Sequence, residues 1–389
     1  MHIDMPPRIA NESPGETCWQ HAHNILCIRL DNMGDVLMTT PALRALKASL
    51  PGRRITLLAS NSGAEIANFI TEVDHVIRYQ APWMKSSTAR GAALDHNMIA
   101  LLAREGFDAA VIFTVYSQNP LPAALLCHLS GIPLRLAHCR ENPYQLLTDW
   151  IPDSEPTTHV RHEVRRQLDL VAAVDCYTGD ERLSCNVPAA DIEWAKLHLY
   201  KANINSSKPW IVVHPGASAP SRRYPSELWI EALKKLSLSL KCPMVFTGTS
   251  DEMPLIESIR SELPSDTYSF AGELSLGKLA AIISLAPLLL CGNTGPAHLA
   301  AALGTSVVDL YALTNPQHTP WQVPHRVLFH DVPCRFCYKS VCPQGHHDCL
   351  RQVSPDDVAA AGIALLRGEG GKRGNELSSI EVITDRLPA

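Results

Sequence analysis

The stretch NILCIRLDNMGDVLMTTPALRALKASLPG, residues 24–52, decides the fold reading. An apolar run, 24–30, stops at Asp31-Asn32-Met33-Gly34-Asp35, and a helical pattern follows at once. Val36, Thr40, Leu43, Leu46 and Leu50 share one helical face, and Pro51-Gly52 ends it. Pro41 either kinks this helix or marks where its regular part begins. A buried strand that hands over to a helix is the repeating unit of a parallel α/β sheet.

The same alternation extends on both sides of that stretch. RITLLAS (54–60) and VDHVIRY (73–79) read as strands with a helix between them. A helix over 94–105 leads into the strand FDAAVIFTV (107–115). The pattern thins after Val174, where only a short helix near 191–200 stands out, and it resumes at WIVVHPG (210–216). Helix 226–240, strand PMVFTG (243–248), helix 252–263, helix 276–284, strand PLLLCG (287–292), helix 295–303 and strand SVVDLYA (306–312) follow. The chain therefore reads as α/β with two Rossmann-like doubly wound domains, at 24–190 and 205–365, and tails at 1–23 and 366–389. Tandem domains of this kind bind ligands in the crevice outside the carboxyl ends of their strands.

Composition excludes several classes. At 389 residues, 46% apolar and 19% charged, the chain is long enough for two full cores. A formal net charge of −5 and no long Lys/Arg block argue against a nucleic-acid partner. No run of 18 apolar residues exists, so no membrane span is expected. The first 23 residues lack the apolar core of a signal peptide. Scattered cysteines such as Cys27 and Cys291 suit buried free thiols, and a cytoplasmic location is expected.

Three segments carry chemistry. In CGNTGPAHLAAALGTS (291–306) a strand ends and a helix begins. Asn293 and Thr294 suit its N-cap, Pro296 its first turn, and Gly295 leaves room beside the backbone. An ordinary capped helix explains Thr294 and Pro296, but it explains Gly295 and His298 less well. A helix N-terminus that receives a diphosphate explains all of them. In HPGASAPSRRYPSELW (214–229) a strand end at His214-Pro215-Gly216 leads through small residues to Arg222-Arg223, paired donors for phosphate oxygens. In NMGD (32–35) Asp35 either serves the helix dipole or acts as a general base. No GxGxxG motif follows a strand, which counts against a dinucleotide oxidoreductase.

These segments, with FTGTSDE, AGELSLGKLAAIIS and NTGPAHLAAALGTSVVDLYALTNP, resemble glycosyltransferase family 9, the heptosyltransferase family, from about 24 to 365. The resemblance implies a GT-B fold, with the acceptor on the first domain and the nucleotide sugar on the second. It implies inverting, metal-independent transfer from a sugar nucleotide such as ADP-heptose to a lipopolysaccharide-type acceptor. By resemblance Asp35 is the general base, with Asn32 and Gly34 on the acceptor side. Arg222, with Arg223 adjacent, neutralises the departing diphosphate, and Glu252 beside Gly248 holds the nucleoside ribose. His214, Gly216, Asn293, Thr294, Gly295, Pro296 and His298 complete the donor loops, His298 in a catalytic role. Asn293 stands where characterised heptosyltransferases carry aspartate, which removes one negative charge beside the donor, and Arg222 replaces a lysine. Two alternatives share the architecture: a nucleotide-sugar 2-epimerase and a non-catalytic sugar-nucleotide binder.

Two features stand outside this chemistry. Cys334, Cys337, Cys342 and Cys349, in the spacing C-x2-C-x4-C-x6-C, read as a structural zinc site or as a loop of free thiols. The segment around His159, His162 and Glu163 reads as a polar helix face or as an acceptor-binding edge, with Arg161, Arg165 and Arg166 either solvated or meeting an acidic acceptor. The acceptor class implies peripheral contact with the cytoplasmic face of the inner membrane.

Overall fold

The computed structural model describes residues 18–85, 91–204, 209–264 and 266–369, so the expectations for 1–17 and for the tail beyond 369 lie outside the described residues. The first domain runs β1 (Asn24–Arg29), α1 (Met33–Ala48), β2 (Arg54–Ala59), α2 (Asn61–Ala67), β3 (His75–Arg78), α3 (Ala93–Glu105), β4 (Ala109–Ile112), α4 (Leu121–Leu129), β5 (Leu134–Cys139), β6 (Asp149–Pro152) and α5 (Glu163–Ala172). A helix, α6 (Ala189–Lys201), follows. The second domain runs β7 (Ile211–His214), α7 (Ser226–Leu240), β8 (Met244–Phe246), α8 (Met253–Arg260), β9 (Thr267–Ser269), α9 (Leu276–Leu285), β10 (Leu288–Gly292), α10 (Gly295–Leu303), β11 (Ser306–Leu310), β12 (His325–Leu328), α11 (Asp348–Arg351) and α12 (Pro355–Leu366).

Both sheets are wholly parallel, ordered β3-β2-β1-β4-β5-β6 and β12-β11-β10-β7-β8-β9. Their central strands are buried on both faces, which is why they read as continuous apolar runs. Ile25 and Cys27 of β1 face one core layer, and Leu26 and Ile28 face the other. One apolar layer runs on through both domains, because α1 and α10 pack against each other at their boundary. The linking helix α6 lies on α9, where Lys278 caps the Trp194 ring at 4.5 Å.

Helix α1 begins at Met33, earlier than its apolar periodicity shows, so Asn32-Met33-Gly34-Asp35 forms its cap and first turn. Pro41 sits inside this helix. Its ring leaves the carbonyl of Leu37 without the usual amide partner, and the Thr40 hydroxyl donates to that oxygen at 2.7 Å. No helix among the described residues is long and apolar enough to cross a membrane.

Candidate active site

In both sheets the winding direction reverses between the first and fourth strands of the domain, at β1/β4 and at β7/β10. Ligands of open α/β sheets bind beyond the carboxyl ends of the strands at that reversal. Arg29 ends β1, His214 ends β7 and Gly292 ends β10, so each chemical segment leaves its sheet at such a point.

On the first domain the site is built around Arg29, a guanidinium buried at the end of β1. Its Nη2 lies 3.2 Å from Asp35 Oδ1, its Nη1 2.8 Å from Glu163 Oε1, and its Nε 3.0 Å from Asp31 Oδ2. Three carboxylates thus surround one cation. Burial, together with the nearby Asp35, pushes the Asp31 carboxyl up to about 6 against the pull of Arg29. Burial raises Glu163 as well. The other oxygen of Asp35, Oδ2, accepts the Asn32 amide at 3.2 Å, so Asp35 caps the helix while its Oδ1 accepts from Arg29 and lies 4.0 Å from His318 Nε2. Beside it, Asn32, Ser60, Tyr79 and Gln80 line one depression, and Trp83, Met84, Gln118 and Asn119 line a second.

On the second domain Thr294 is the N-cap of α10, yet its hydroxyl donates back to Gly292 O at 3.2 Å and does not cap the helix. Among the described residues no side chain caps this turn; Pro296 has no N–H and Ala297 donates its amide to Thr294 O at 3.0 Å, so the Gly295 amide is the first-turn donor left to a ligand. The Asn293 amide nitrogen donates to Ala312 O at 3.4 Å, and its buried Oδ1 has no hydrogen-bond partner among the described residues. Arg222, on a short 3-10 turn, reaches Asn293 O with Nη1 at 3.3 Å. Arg223 is exposed and donates its Nε to Ala217 O at 2.8 Å within its own loop, so of the two arginines Arg222 is the one that reaches the Asn293–Gly295 loop. Glu252 occupies the space that the missing side chains of Gly216 and Gly248 leave. There it accepts the Thr249 amide at 2.8 Å and lies 4.0 Å from the His214 ring.

The two halves touch. A methyl group on Gly34 would come within 2.6 Å of the His298 ring, and one on Gly295 within 2.5 Å of the Met33 side chain. The room beside both glycines, read from sequence as space for ligands, is filled here by the facing domain. Burial first, then His318, His162 and Arg222, holds His298 well below its ordinary pKa, so its imidazole is neutral at neutral pH. His318 lies with its ring 6.3 Å from that of His298 and nearly perpendicular to it.

The segment at 159–175 corrects its sequence reading. His159 precedes the helix, and His162 is its N-cap, accepting the Val164 amide at 3.2 Å. Glu163, Arg166 and Gln167 are buried, not a solvated face. Arg166 forks onto Asp153 at 2.9 Å with both Nη atoms, Arg161 pairs with Glu155 and Asp169, and Arg165 pairs with Glu181. Periodicity could not show this, because the burial is bought by ion pairs and not by apolar side chains.

All four clustered thiols are free. Cys334 Sγ lies 3.7 Å from His346 Nε2, but among the described residues no three Cys, His or carboxylate groups are placed to hold one metal ion. The loop is tied to the donor side instead: Ser221 donates its amide to Ser340 O at 3.0 Å and its hydroxyl to Lys339 O at 2.8 Å.

Sequence reading missed Arg29, Asp31, His318 and Asp309. Arg29 was the visible signal, a charge inside an otherwise apolar strand. Asp309 of β11 is wholly buried, neither oxygen has a hydrogen-bond partner among the described residues, and burial raises its pKa well above the ordinary value despite Arg222.

Comparison with known proteins agrees with this arrangement. Lipopolysaccharide heptosyltransferase 2 of Escherichia coli K12 is 25% identical over 89% of this chain and 99% of its own length. A family 9 glycosyltransferase from Veillonella parvula superposes with a TM-score of 0.75, 19% identical, over 91% of this chain and 99% of that one. The ADP-heptose lipopolysaccharide heptosyltransferase II structure from E. coli superposes at 0.68, 22% identical, over 89% and 99%. These likenesses establish the GT-B fold. Residues 97–347 match the glycosyltransferase family 9 (heptosyltransferase) family, and with the paired domains and cleft described above the chain belongs to that family of glycosyltransferases.

Proposed function

We propose that the protein is an inverting, metal-independent glycosyltransferase that moves heptose from ADP-heptose to a lipopolysaccharide core acceptor at the cytoplasmic face of the inner membrane. One observation carries the reading: Met33 and Gly34, in the turn that ends at Asp35, pack against Gly295 and His298 of the α10 N-terminus, which Arg222 approaches through Asn293 O, so the carboxylate and the donor loops meet at one domain boundary. The names of the relatives, lipopolysaccharide heptosyltransferase 2 in E. coli and in Salmonella typhimurium, supply the sugar and acceptor class.

In this mechanism Asp35 takes the proton of the attacking hydroxyl. The hydroxyl oxygen bonds to the anomeric carbon from the face opposite the diphosphate. The bond to the diphosphate breaks, and its electron pair leaves with the phosphate oxygens. Arg222 and the N-terminus of α10, with its Gly295 amide, are fixed before reaction where that charge grows, and preorganised donors of this kind are usually the largest single catalytic term. They supply the positive charge that other enzymes draw from a metal ion.

The test has two parts. Thermal shift against ADP, UDP, GDP and CMP is expected to single out ADP, since ligand at about a hundred times its Kd adds roughly 2.7 kcal/mol. Transfer from ADP-heptose to core oligosaccharide from an E. coli strain lacking heptosyltransferase 2 should then be measured. A shift with UDP or GDP alone would change the donor, and no shift at all would remove the donor site. Within this reading Arg222→Ala is expected to lower kcat by about 10²–10³. Arg223→Ala should stay within about threefold of the parent, since its side chain is exposed and its Nε is already given to Ala217 O. Equal losses in both variants would contradict the assignment.

A further inference from the structure

The loop after β11 belongs to the second domain, yet it is clamped onto the first. Gln317 O accepts the Glu163 amide at 3.0 Å, Thr319 O lies 2.9 Å from His162 Nε2, and the Trp321 indole donates to Glu181 O at 2.8 Å. His318 sits within this clamp. Asn315 donates its amide to His318 Nδ1 at 2.8 Å, so in the neutral ring the proton is on Nε2. That Nε2 is buried, has no hydrogen-bond partner among the described residues, and lies 4.0 Å from Asp35 Oδ1 and 3.9 Å from Glu163 Oε2. Glu163 Oε2 is also buried without a hydrogen-bond partner among the described residues, although its twin oxygen accepts from Arg29 and Gln167.

These separations are too long for direct hydrogen bonds and suit one bridging oxygen, about 2.8 Å from each neighbour. The chemistry of the three atoms narrows what that oxygen can be. It must accept from an N–H and donate to a carboxylate. A phosphate or carboxylate group would meet two like charges here, whereas the oxygen of a water or of a sugar hydroxyl accepts from the N–H and donates to one carboxylate.

We propose that His318 completes the acceptor site: its Nε2–H holds the oxygen of the attacking sugar hydroxyl while that hydroxyl points its proton at Asp35. The inference rests on the transferase reading above. Glu163 is a positioning residue, setting the loop through its amide and excluding anionic groups through its free oxygen. The hydroxyl loses its proton to Asp35, keeps the hydrogen bond from His318, and uses its remaining lone pair to form the new C–O bond. The acceptor is therefore gripped by both domains, and its reactive hydroxyl is seated only while they are together. That departs from the plain division of acceptor on one domain and donor on the other.

His318→Phe keeps a ring and removes the donor, and His318→Gln restores an N–H. Both are to be made in the full chain, with kcat and KM for core oligosaccharide and the Kd for ADP measured. The expected result for His318→Phe is a rise of at least tenfold in acceptor KM, a lower kcat and an ADP Kd within twofold of the parent. His318→Gln should recover most of the loss. Parent-like acceptor KM and kcat in His318→Phe would overturn the inference while leaving the transferase reading standing. A parallel loss of ADP binding would also overturn it, by moving His318 to the donor side. A parent protein that binds ADP-heptose but transfers nothing to any core acceptor would defeat the transferase reading, and this inference with it.

Discussion

Asp35→Asn is expected to lower kcat for heptose transfer by about 10²–10⁴ and to leave the Kd for ADP within about twofold. The substitution keeps size and shape, so the α1 cap survives: an asparagine oxygen can still accept the Asn32 amide that Asp35 Oδ2 accepts at 3.2 Å. What is lost is the group that removes a proton, together with one of the three carboxylates around Arg29, which keeps Asp31 and Glu163. The α10 amides and Arg222 lie on the other domain and stay in place. Some transfer should persist, because proximity and charge stabilisation act without the base. Steady-state kinetics beside ADP calorimetry decide the matter. A kcat within tenfold of the parent would place the base elsewhere, with Glu163 the first to examine.

The second large effect concerns stability. Arg29→Met removes the one cation shared by Asp31, Asp35 and Glu163, whose oxygens lie 3.0, 3.2 and 2.8 Å from it. Breaking a buried ion pair by deleting one partner costs about 3–5 kcal/mol, because the other charge stays behind. For a domain of this size that is roughly 10 °C in Tm. The loss should depend on pH. Burial and mutual repulsion already lift Asp31 to about 6 and raise Glu163, and removing Arg29 lifts both further. A carboxyl whose folded pKa exceeds its unfolded value binds more protons when folded, so stability falls as pH rises through that window. The deficit of the variant against the parent should therefore widen from pH 5 to pH 8 in paired melts. A deficit that is flat across that range would show that the carboxylates find other partners.

Residues 24–52 showed the strand, the helix and the acidic junction, because a strand buried on both faces and an amphipathic helix leave opposite periodicities. The strands β1, β4, β7 and β10 at the middle of the two sheets were legible for that reason, whereas β5, whose buried run is broken by Arg135 and His138, was not. The edge strands β6, β9 and β12 were not, since half-exposed strands such as Thr267–Ser269 carry no apolar run. The donor loops were visible as glycine and arginine at strand ends. His318 was not visible, because its role comes from a loop held to the other domain by backbone hydrogen bonds, which leave no pattern in side-chain type. The ion-pair core around Arg29 and Arg166 was hidden likewise, since charged residues read as surface unless their partners, up to 134 positions away, are known.

The meeting of Met33 with Gly295, and of His298 with Gly34, has a kinetic consequence. The Met33 thioether takes the space beside Gly295, so substrate loading and product escape both belong to a parted arrangement, and Met33 stays displaced while a donor is bound there. Chemistry belongs to the joined one. Each turnover then comprises one parting and one rejoining, and the slower of these two strokes sets a ceiling on throughput that no improvement at the reacting atoms can raise.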